Sequence, residues 1–491
     1  MEEALVGFKN HFMLQSPGLK KNTWWLTFGS IIQKFITFIY FAILARAIGV
    51  EALGQYSFVL SFTSIFVVFI DLGINNFLIR EVAREIKNTA RYLGNIIIFK
   101  LLAGFVIYFV MIAAIFLLGK PVEIRWMVYL AGIMIVINNI NGTFYSAIRG
   151  YQNLKYESIG IVLGQLTVFL VGLMVIFLKL PTVYLFVPLI LSEIIIFFYL
   201  TVVADRKYQL KPEFIIDVSL IKNILKKSFH FFGASFFGSV FGYIDIILLS
   251  LLSGDQAVGY YSAAQKIPNA LRIFPAAFAA SIYPTVCYYF SKQQKEDIIK
   301  IAEKAINYIL IIVAPIVVSV FVLAQPIIQI VYGVKFTAGS APLRIIVFGM
   351  FFSFLDYIFI TLLNACSKEK INARHRAIAM IAIILFNLVL IPLYQYQGAA
   401  IASTASFFIL ALLGFIYTRK VINFGLKSIF FNFLKILIVS SAMGSMVYVL
   451  QNHINFIFLV MMGVLIYAVG ILILGIISKE DLSYFRNLLK R

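Results

Sequence analysis

Apolar residues run through this chain in long stretches, interrupted at short intervals by charged or glycine-bearing turns. Fourteen stretches are each about 20 residues long, the length that crosses a hydrocarbon core as a helix. They lie near residues 23–45, 55–79, 93–118, 127–148, 158–180, 181–203, 229–252, 259–289, 305–325, 343–365, 376–396, 399–418, 429–450 and 456–477. The boundary between the fifth and sixth is set by Pro181. Within the apolar background, polar residues recur on single helical faces. Segment 1 carries Thr23, Thr27, Ser30, Lys34 and Thr37, and segment 2 carries Ser57, Ser61, Ser64, Asp71 and Asn75.

One short pattern is written twice. GVEALGQYS (49–57) joins segments 1 and 2, and GDQAVGYYS (254–262) joins segments 7 and 8. Gly49, Ala52, Gly54, Tyr56 and Ser57 recur as Gly254, Ala257, Gly259, Tyr261 and Ser262, offset by 205. At the same offset Ser30 falls on Ser235, Lys34 on Ser239, Ser61 on Lys266 and Ser64 on Asn269. An even number of segments separates the two turns, so both fall on one side of the membrane. This predicts a parallel repeat related by an axis along the membrane normal. The expected fold is all-α and polytopic. A six-helix lobe spans residues 1–205 and a second spans 206–420. Two additional helices follow in 421–491. The basic segment 204–228 (ADRKYQLKPEFIIDVSLIKNILKKS) reads as the linker between the lobes.

Composition fixes the solvent. Of 491 residues 62% are hydrophobic and 13% charged, with a mean hydropathy of +0.97. A soluble domain is about 45–50% apolar and about 25% charged, so most of this surface faces lipid. The net charge of +20 marks topology rather than a nucleic-acid groove. Thirty Lys and Arg fall in the alternate loops that share a side with both termini, and five fall in the opposite loops. That asymmetry places both termini in the cytoplasm. Residues 1–22 form a polar leader without a secretory cleavage site, and Trp24-Trp25 stand where an interfacial aromatic anchor would. Cys287 and Cys366 are isolated, and His11, His230, His375 and His453 are scattered. Neither a disulfide framework nor a metal cluster is implied, and no cofactor is expected. GxxxxGK[ST], HExxH and GxSxG are absent, so the chain has no ATP-driven motor of its own and no recognisable hydrolase centre.

Six cations lie inside the segments: Lys34, Lys100, Lys266, Arg272, Arg344 and Lys435. A cation at the bilayer centre costs about 2.5–3.5 kcal/mol by insertion scales and therefore faces water or a partner. From the rise per residue, Lys266 stands about 10 Å, Lys34 about 16 Å and Arg272 about 20 Å below the outer surface. Facing stripes would make these three a descending cationic ladder, with Asn269 and Ser61 on the same faces. Pro268 and Pro275 bracket Arg272 and predict a kink with freed carbonyls. The competing reading is internal pairing of these cations with Asp245, which lies at nearly the depth of Lys266, and with Asp71, deep in segment 2. Lys100, Arg344 and Lys435 read as side chains that snorkel from span ends. Glu193 and Asp356 are single intramembrane acids that can pair a charge or carry H+ or Na+.

The chain resembles the polysaccharide transporter (Wzx-like oligosaccharide flippase) family, within the superfamily that holds MATE drug exporters and lipid II flippases. The resemblance rests on ARAIGVEALGQYSFVLSF, DLGINNFLIREVARE, DIILLSLLSGDQAVGYYSAAQKI, IVYGVKFTAGSAPLRI and QGAAIAS, in that order from about residue 40 to 403. It implies two lobes around a central cavity and alternating access. The implied cargo is a polyprenyl-diphosphate-linked oligosaccharide moved from the cytoplasmic to the outer leaflet, for surface polysaccharide or glycan assembly. It implies a cationic cavity for the diphosphate, for which Lys34, Lys266 and Arg272 are the matching positions. In the lipid II branch, helices like segments 13 and 14 form a groove for the lipid tail. The implied setting is the cytoplasmic membrane of a prokaryote. Membrane lipids, glycosyltransferases and polymerases of the same pathway are the expected partners, and nucleic acid is not. Two other readings compete: a MATE-like cation-coupled drug exporter, which wants acids in its cavity, and a membrane sugar ligase, which wants a large outer loop.

Overall fold

The computed structural model describes residues 17–451 and 453–476. Residues 1–16 of the expected leader, His11 among them, and residues 477–491 lie outside the described residues. The described residues form fifteen α-helices and three short 3-10 turns, with no strand. In chain order the helices are α1 Pro17–Asp71, α2 Ile74–Arg84, α3 Thr89–Leu117, α4 Val122–Gly150, α5 Lys155–Phe177, α6 Val187–Tyr208, α7 Val218–Leu252 and α8 Asp255–Leu271. They continue as α9 Ile273–Ser291, α10 Lys295–Val322, α11 Ala324–Tyr332, α12 Ser340–Ala365, α13 Glu369–Ile422, α14 Leu426–Leu450 and α15 Phe456–Ile473. The all-α polytopic expectation holds. Twelve stretches are long and apolar enough to cross a membrane by length and composition. Two of these, of 48 and 54 residues, are broken once each, at Gly49 (φ 80°) and Gln395 (φ 48°). The expectation of fourteen segments divides both.

Breaks fall where the backbone chemistry asks for them. Gly49 and Gly254 open the two repeated turns with nearly the same left-handed φ, 80° and 84°, a conformation that a Cβ would oppose. Arg272 separates α8 from α9. Pro275 lacks the N–H that would reach back to Leu271, so the kink predicted from Pro268 and Pro275 is a full interruption. The boundary at Pro181 is a 3-10 turn, Thr182–Phe186.

Three expectations change. Segment 2 ends at Asp71, because Leu72 and Gly73 take left-handed φ and α2 starts afresh. The linker expected over 204–228 is non-helical only at 209–217, since α6 continues to Tyr208 and α7 begins at Val218. The stretch 326–342, which the segment bounds 305–325 and 343–365 leave as a connection, is folded: α11 runs to Tyr332, and the 3-10 turn Val334–Gly339 follows.

The chain packs as two compact units. One runs to Ser262 and takes in Asn387–Gln395; the other holds Ala263–Phe386 and the chain from Tyr396 onward. These units follow packing, whereas the lobes read from the sequence follow the repeat. The first unit has two apolar cores. One gathers Leu44, Phe58, Met111, Ile115, Met127, Val128 and Phe186, and the other gathers Ile74, Phe77, Leu93, Ile97, Phe144 and Leu200. In the second unit, Leu323, Val439, Met443, Val447, Leu459 and Ile471 join α14 and α15 to the end of α10. Large apolar side chains such as Leu102, Phe105 and Leu117 remain exposed, as expected where lipid is the solvent.

Candidate functional site

Along α3, α4 and α6 the polar residues fall between the stretches that feed the two cores of the first unit. Lys100 is fully buried, 0% exposed. Its Nζ donates to Asp71 Oδ1 at 2.8 Å, to Asn75 Oδ1 at 2.8 Å and to the carbonyl of Asn139 at 3.2 Å. Three acceptors match the three donors of an ammonium. Lys100 therefore does not snorkel. It stands mid-helix against α1, α2 and α4, with no path for its stem to water, and the break at Leu72-Gly73 carries Asp71 and Asn75 onto it.

A second acid stands close by in the chain order of these helices. Glu193 on α6 accepts from Asn138 Nδ2 at 2.9 Å and from Asn141 Nδ2 at 2.8 Å. Asn141 also donates to the Glu193 carbonyl at 2.9 Å. Asn138 is exposed and Glu193 half-buried, so this carboxylate reaches the protein surface at one edge. The sequence reading missed these asparagines. The available signal was Asn138-Asn139-Ile140-Asn141, three amides within four residues of an apolar helix.

At the end of the first unit that carries the repeated turns, Lys120 donates to Ser250 Oγ at 2.7 Å, to the Ser250 carbonyl at 3.2 Å and to Asp255 Oδ1 at 3.3 Å. Its ammonium lies 4.6 Å from the Phe58 ring centroid, within cation–π range. Asp245 is 2% exposed; Tyr261 Oη donates to it, as does the Ile246 amide at 2.8 Å. The two turns themselves are in contact. A Cβ on Gly54 would lie 1.7 Å from the Asp255 carbonyl, and one on Gly259 would lie 2.0 Å from the Val50 carbonyl. Under the offset of 205, residue 50 corresponds to 255 and 54 to 259. The contact is therefore reciprocal, the pattern a two-fold relation generates.

The residues of the expected cationic ladder fall in separate units. Lys34 is exposed on α1 and Ser61 is buried on the same helix, both in the first unit. Lys266, Asn269 and Arg272 are half-buried on α8 and at its end, in the second. The Arg272 guanidinium lies 5.1 Å from the Phe407 ring centroid. Asp356 on α12, also in the second unit, is 8% exposed.

The second unit also holds an apolar cavity of about 350 Å³ between α10, α12, the end of α13 and the start of α14. Phe351, Phe359, Phe415, Phe424, Phe430 and Phe433 line it. Exposed Arg419, Lys420 and Lys427 flank Phe424 in sequence, and Glu303 Oε1 accepts the Gly425 amide at 2.8 Å to fix that turn.

Comparison with known proteins places this architecture. The family model described as "Polysaccharide biosynthesis protein" matches residues 19–290, more than half of the chain, and the MatE model matches residues 232–393. The uncharacterised membrane protein MJ1068 of Methanocaldococcus jannaschii is 26% identical over 75% of this chain and 78% of its own length. The capsular polysaccharide biosynthesis protein CapF of Staphylococcus aureus is 22% identical over 82% of this chain and 99% of its own. The solved structure of the lipid II flippase MurJ in an inward closed conformation superposes with a TM-score of 0.77 at 17% identity. It covers 92% of this chain and 98% of that one. With the family model spanning both repeated turns and the fold shared along nearly its whole length, this multi-pass membrane chain belongs to the polysaccharide biosynthesis protein family.

Proposed function

We propose that the protein is a transporter, not an enzyme, and that it flips a polyprenyl-diphosphate-linked oligosaccharide from the cytoplasmic to the outer leaflet by alternating access. The observation that carries this reading is the phenylalanine-lined cavity of the second unit with exposed basic residues beside it in the chain. An all-apolar wall suits a prenyl tail, which brings no polar group to satisfy. Neighbouring cations suit a diphosphate, which gains charge-assisted hydrogen bonds from Lys and Arg. A cationic drug would ask for the opposite charge. The family membership and the fold shared with a lipid II flippase support the same cargo class.

In this reading Lys34, Lys266 and Arg272, with Ser61 and Asn269, are the residues that meet the diphosphate. The contact between the two repeated turns closes the outer side and opens when the cargo leaves. Glu193, with its two amide donors and its exposed edge, is the better placed acid for H+ or Na+ coupling, and Asp71 is committed to Lys100. Asp245 and Asp356 are the remaining intramembrane acids. Both termini lie in the cytoplasm of a prokaryote, and glycosyltransferases and polymerases act upstream and downstream.

A leaflet-resolved assay tests the proposal. Purified protein is reconstituted in vesicles with fluorescent lipid-linked oligosaccharide in one leaflet, and transfer is read by a membrane-impermeant quencher or lectin. Protein-dependent transfer of the lipid-linked sugar is expected. Absence of transfer, together with gradient-driven efflux of organic cations, would establish the exporter reading instead.

A further inference from the structure

The non-helical segment 209–217 is fastened to the first turns of α3. The Glu213 amide donates to the Ala90 carbonyl at 3.1 Å, and the Asp217 amide donates to Asn95 Oδ1 at 2.8 Å. Arg91 pairs with Asp217 at 2.5 Å. Gly94 allows the approach, because a Cβ there would lie 1.9 Å from the Glu213 carbonyl. The Asp217 carboxylate also caps α7, accepting the Leu220 amide at 2.9 Å and the Ser219 hydroxyl at 2.7 Å. The segment is thus a fixed strap.

Its outward side is apolar. Phe214, Ile215 and Ile216 are 63%, 71% and 65% exposed. Three consecutive exposed apolar residues on a fastened loop want a non-aqueous environment. Helix length gives the depth. The 29 residues of α3 extend about 43 Å at about 1.5 Å per residue, against a hydrocarbon core of about 30 Å. Its far end is bare apolar surface, with Leu117 84% exposed. With Leu117 at one boundary of the core, α3 overshoots the other by about 13 Å, so Ala90–Asn95 and the strap on them lie at headgroup level. Around the strap, Arg206, Lys207, Lys211, Lys222, Lys226 and Lys227 are exposed.

We propose that this strap and the start of α7 form an interfacial anchor for anionic phospholipid. Phe214, Ile215 and Ile216 enter the acyl boundary of the leaflet, and Lys222, Lys226 and Lys227 engage lipid phosphates, Lys211 being paired with Asp205 at 3.7 Å. Apolar insertion combined with basic attraction is the energetic logic of interfacial membrane segments. The anchor holds α6, α3 and α7 at one depth. It rests on the membrane-spanning fold and not on the cargo, so its test is independent of the flippase assay.

The full chain, with Cys287→Ser and Cys366→Ala to remove native thiols, carries a single fluorophore at Ile215→Cys in lipid nanodiscs. Shallow brominated lipids should quench the probe and aqueous iodide should not. Brominated phosphatidylglycerol diluted in plain phosphatidylcholine should quench more than the reverse mixture. In Lys222→Gln/Lys226→Gln/Lys227→Gln that preference should fall to none, while bromolipid quenching itself persists. Quenching by iodide alone would show that the strap faces water, leaving a soluble protein as its partner. An undiminished phosphatidylglycerol preference in the triple variant would show that these lysines do not read the headgroup. Either result overturns the proposal.

Discussion

Gly54 stands so close to Asp255 that a Cβ on residue 54 would lie 1.7 Å from the Asp255 carbonyl, and Gly259 stands likewise against Val50, at 2.0 Å. Backbone meets backbone at both points, so no side chain can swing aside to make room. Gly54→Ala or Gly259→Ala should therefore cost about 1–3 kcal/mol, read as a lowered Tm of the purified protein in detergent. Gly242→Ala is the control, since a Cβ there meets nothing within 4 Å. A Tm for Gly54→Ala equal to that control would mean the contact imposes no constraint.

Fully buried Lys100 and half-buried Asp71 form an ion pair at 2.8 Å. Removing one partner of such a pair typically costs about 3–5 kcal/mol, because the other charge is stranded. Lys100→Ala should lower folded yield and Tm markedly. The double variant Lys100→Ala/Asp71→Ala should be milder than the two single losses summed. Lys435→Ala should be nearly neutral, since Lys435 is only half-buried and, among the described residues, its ammonium donates to the Leu474 carbonyl at a long 3.3 Å. Strict additivity of the two single losses would refute the pairing.

Transport should depend on the expected cavity cations. Lys266→Ala or Arg272→Ala should abolish transfer of lipid-linked oligosaccharide, and Lys34→Ala should reduce it, with expression and membrane insertion unchanged. The leaflet-resolved assay, normalised to inserted protein, reads this. Full activity in both Lys266→Ala and Arg272→Ala would remove the cationic cavity from the mechanism.

Orientation can be read by thiol labelling in a background lacking the native cysteines. Gln293→Cys should react with an impermeant maleimide only from the cytoplasmic side. Gln256→Cys and Gln395→Cys should react only from the outside. A swap between these sets would invert the proposed topology.

The strap also carries a pH signature. Backbone donation from Leu220, then the Ser219 hydroxyl and Arg91, hold the Asp217 carboxyl down to about 2, against an ordinary value of 3.8. A depressed acid stabilises the fold above its unfolded pKa and loses that contribution as pH falls toward its folded pKa. Hydrogen exchange at residues 213–220 should be flat from neutral pH to about 5, after correction for intrinsic rates. Protection should then fall between about 4 and 2. Loss of protection already near neutrality would show that another group fastens the strap.

Hydropathy and local backbone chemistry along the chain determined much of this protein. They fixed the all-α membrane class, the boundary at Pro181, the interruption between Pro268 and Pro275, and the recurrence of one glycine turn at 49–57 and 254–262. Each is a property of a short window: the length of an apolar run, a missing N–H, a residue without a Cβ. The family resemblance was legible for the same reason, because its motifs are such turns. Pairing was not. Lys100 read as a span-end lysine because sequence gives depth along one helix but not the rotation of that helix toward its neighbours. Only packing brought Asp71, Asn75 and the Asn139 carbonyl to its ammonium, and Asn138 and Asn141 to Glu193. Likewise 204–228 read as a long linker because its lysines mask the helical ends, while tertiary contacts with α3 decided that only 209–217 leaves the helix. What a chain does alone depends on its own covalent geometry and solvent preference; which charges meet depends on faces supplied by segments dozens of residues away.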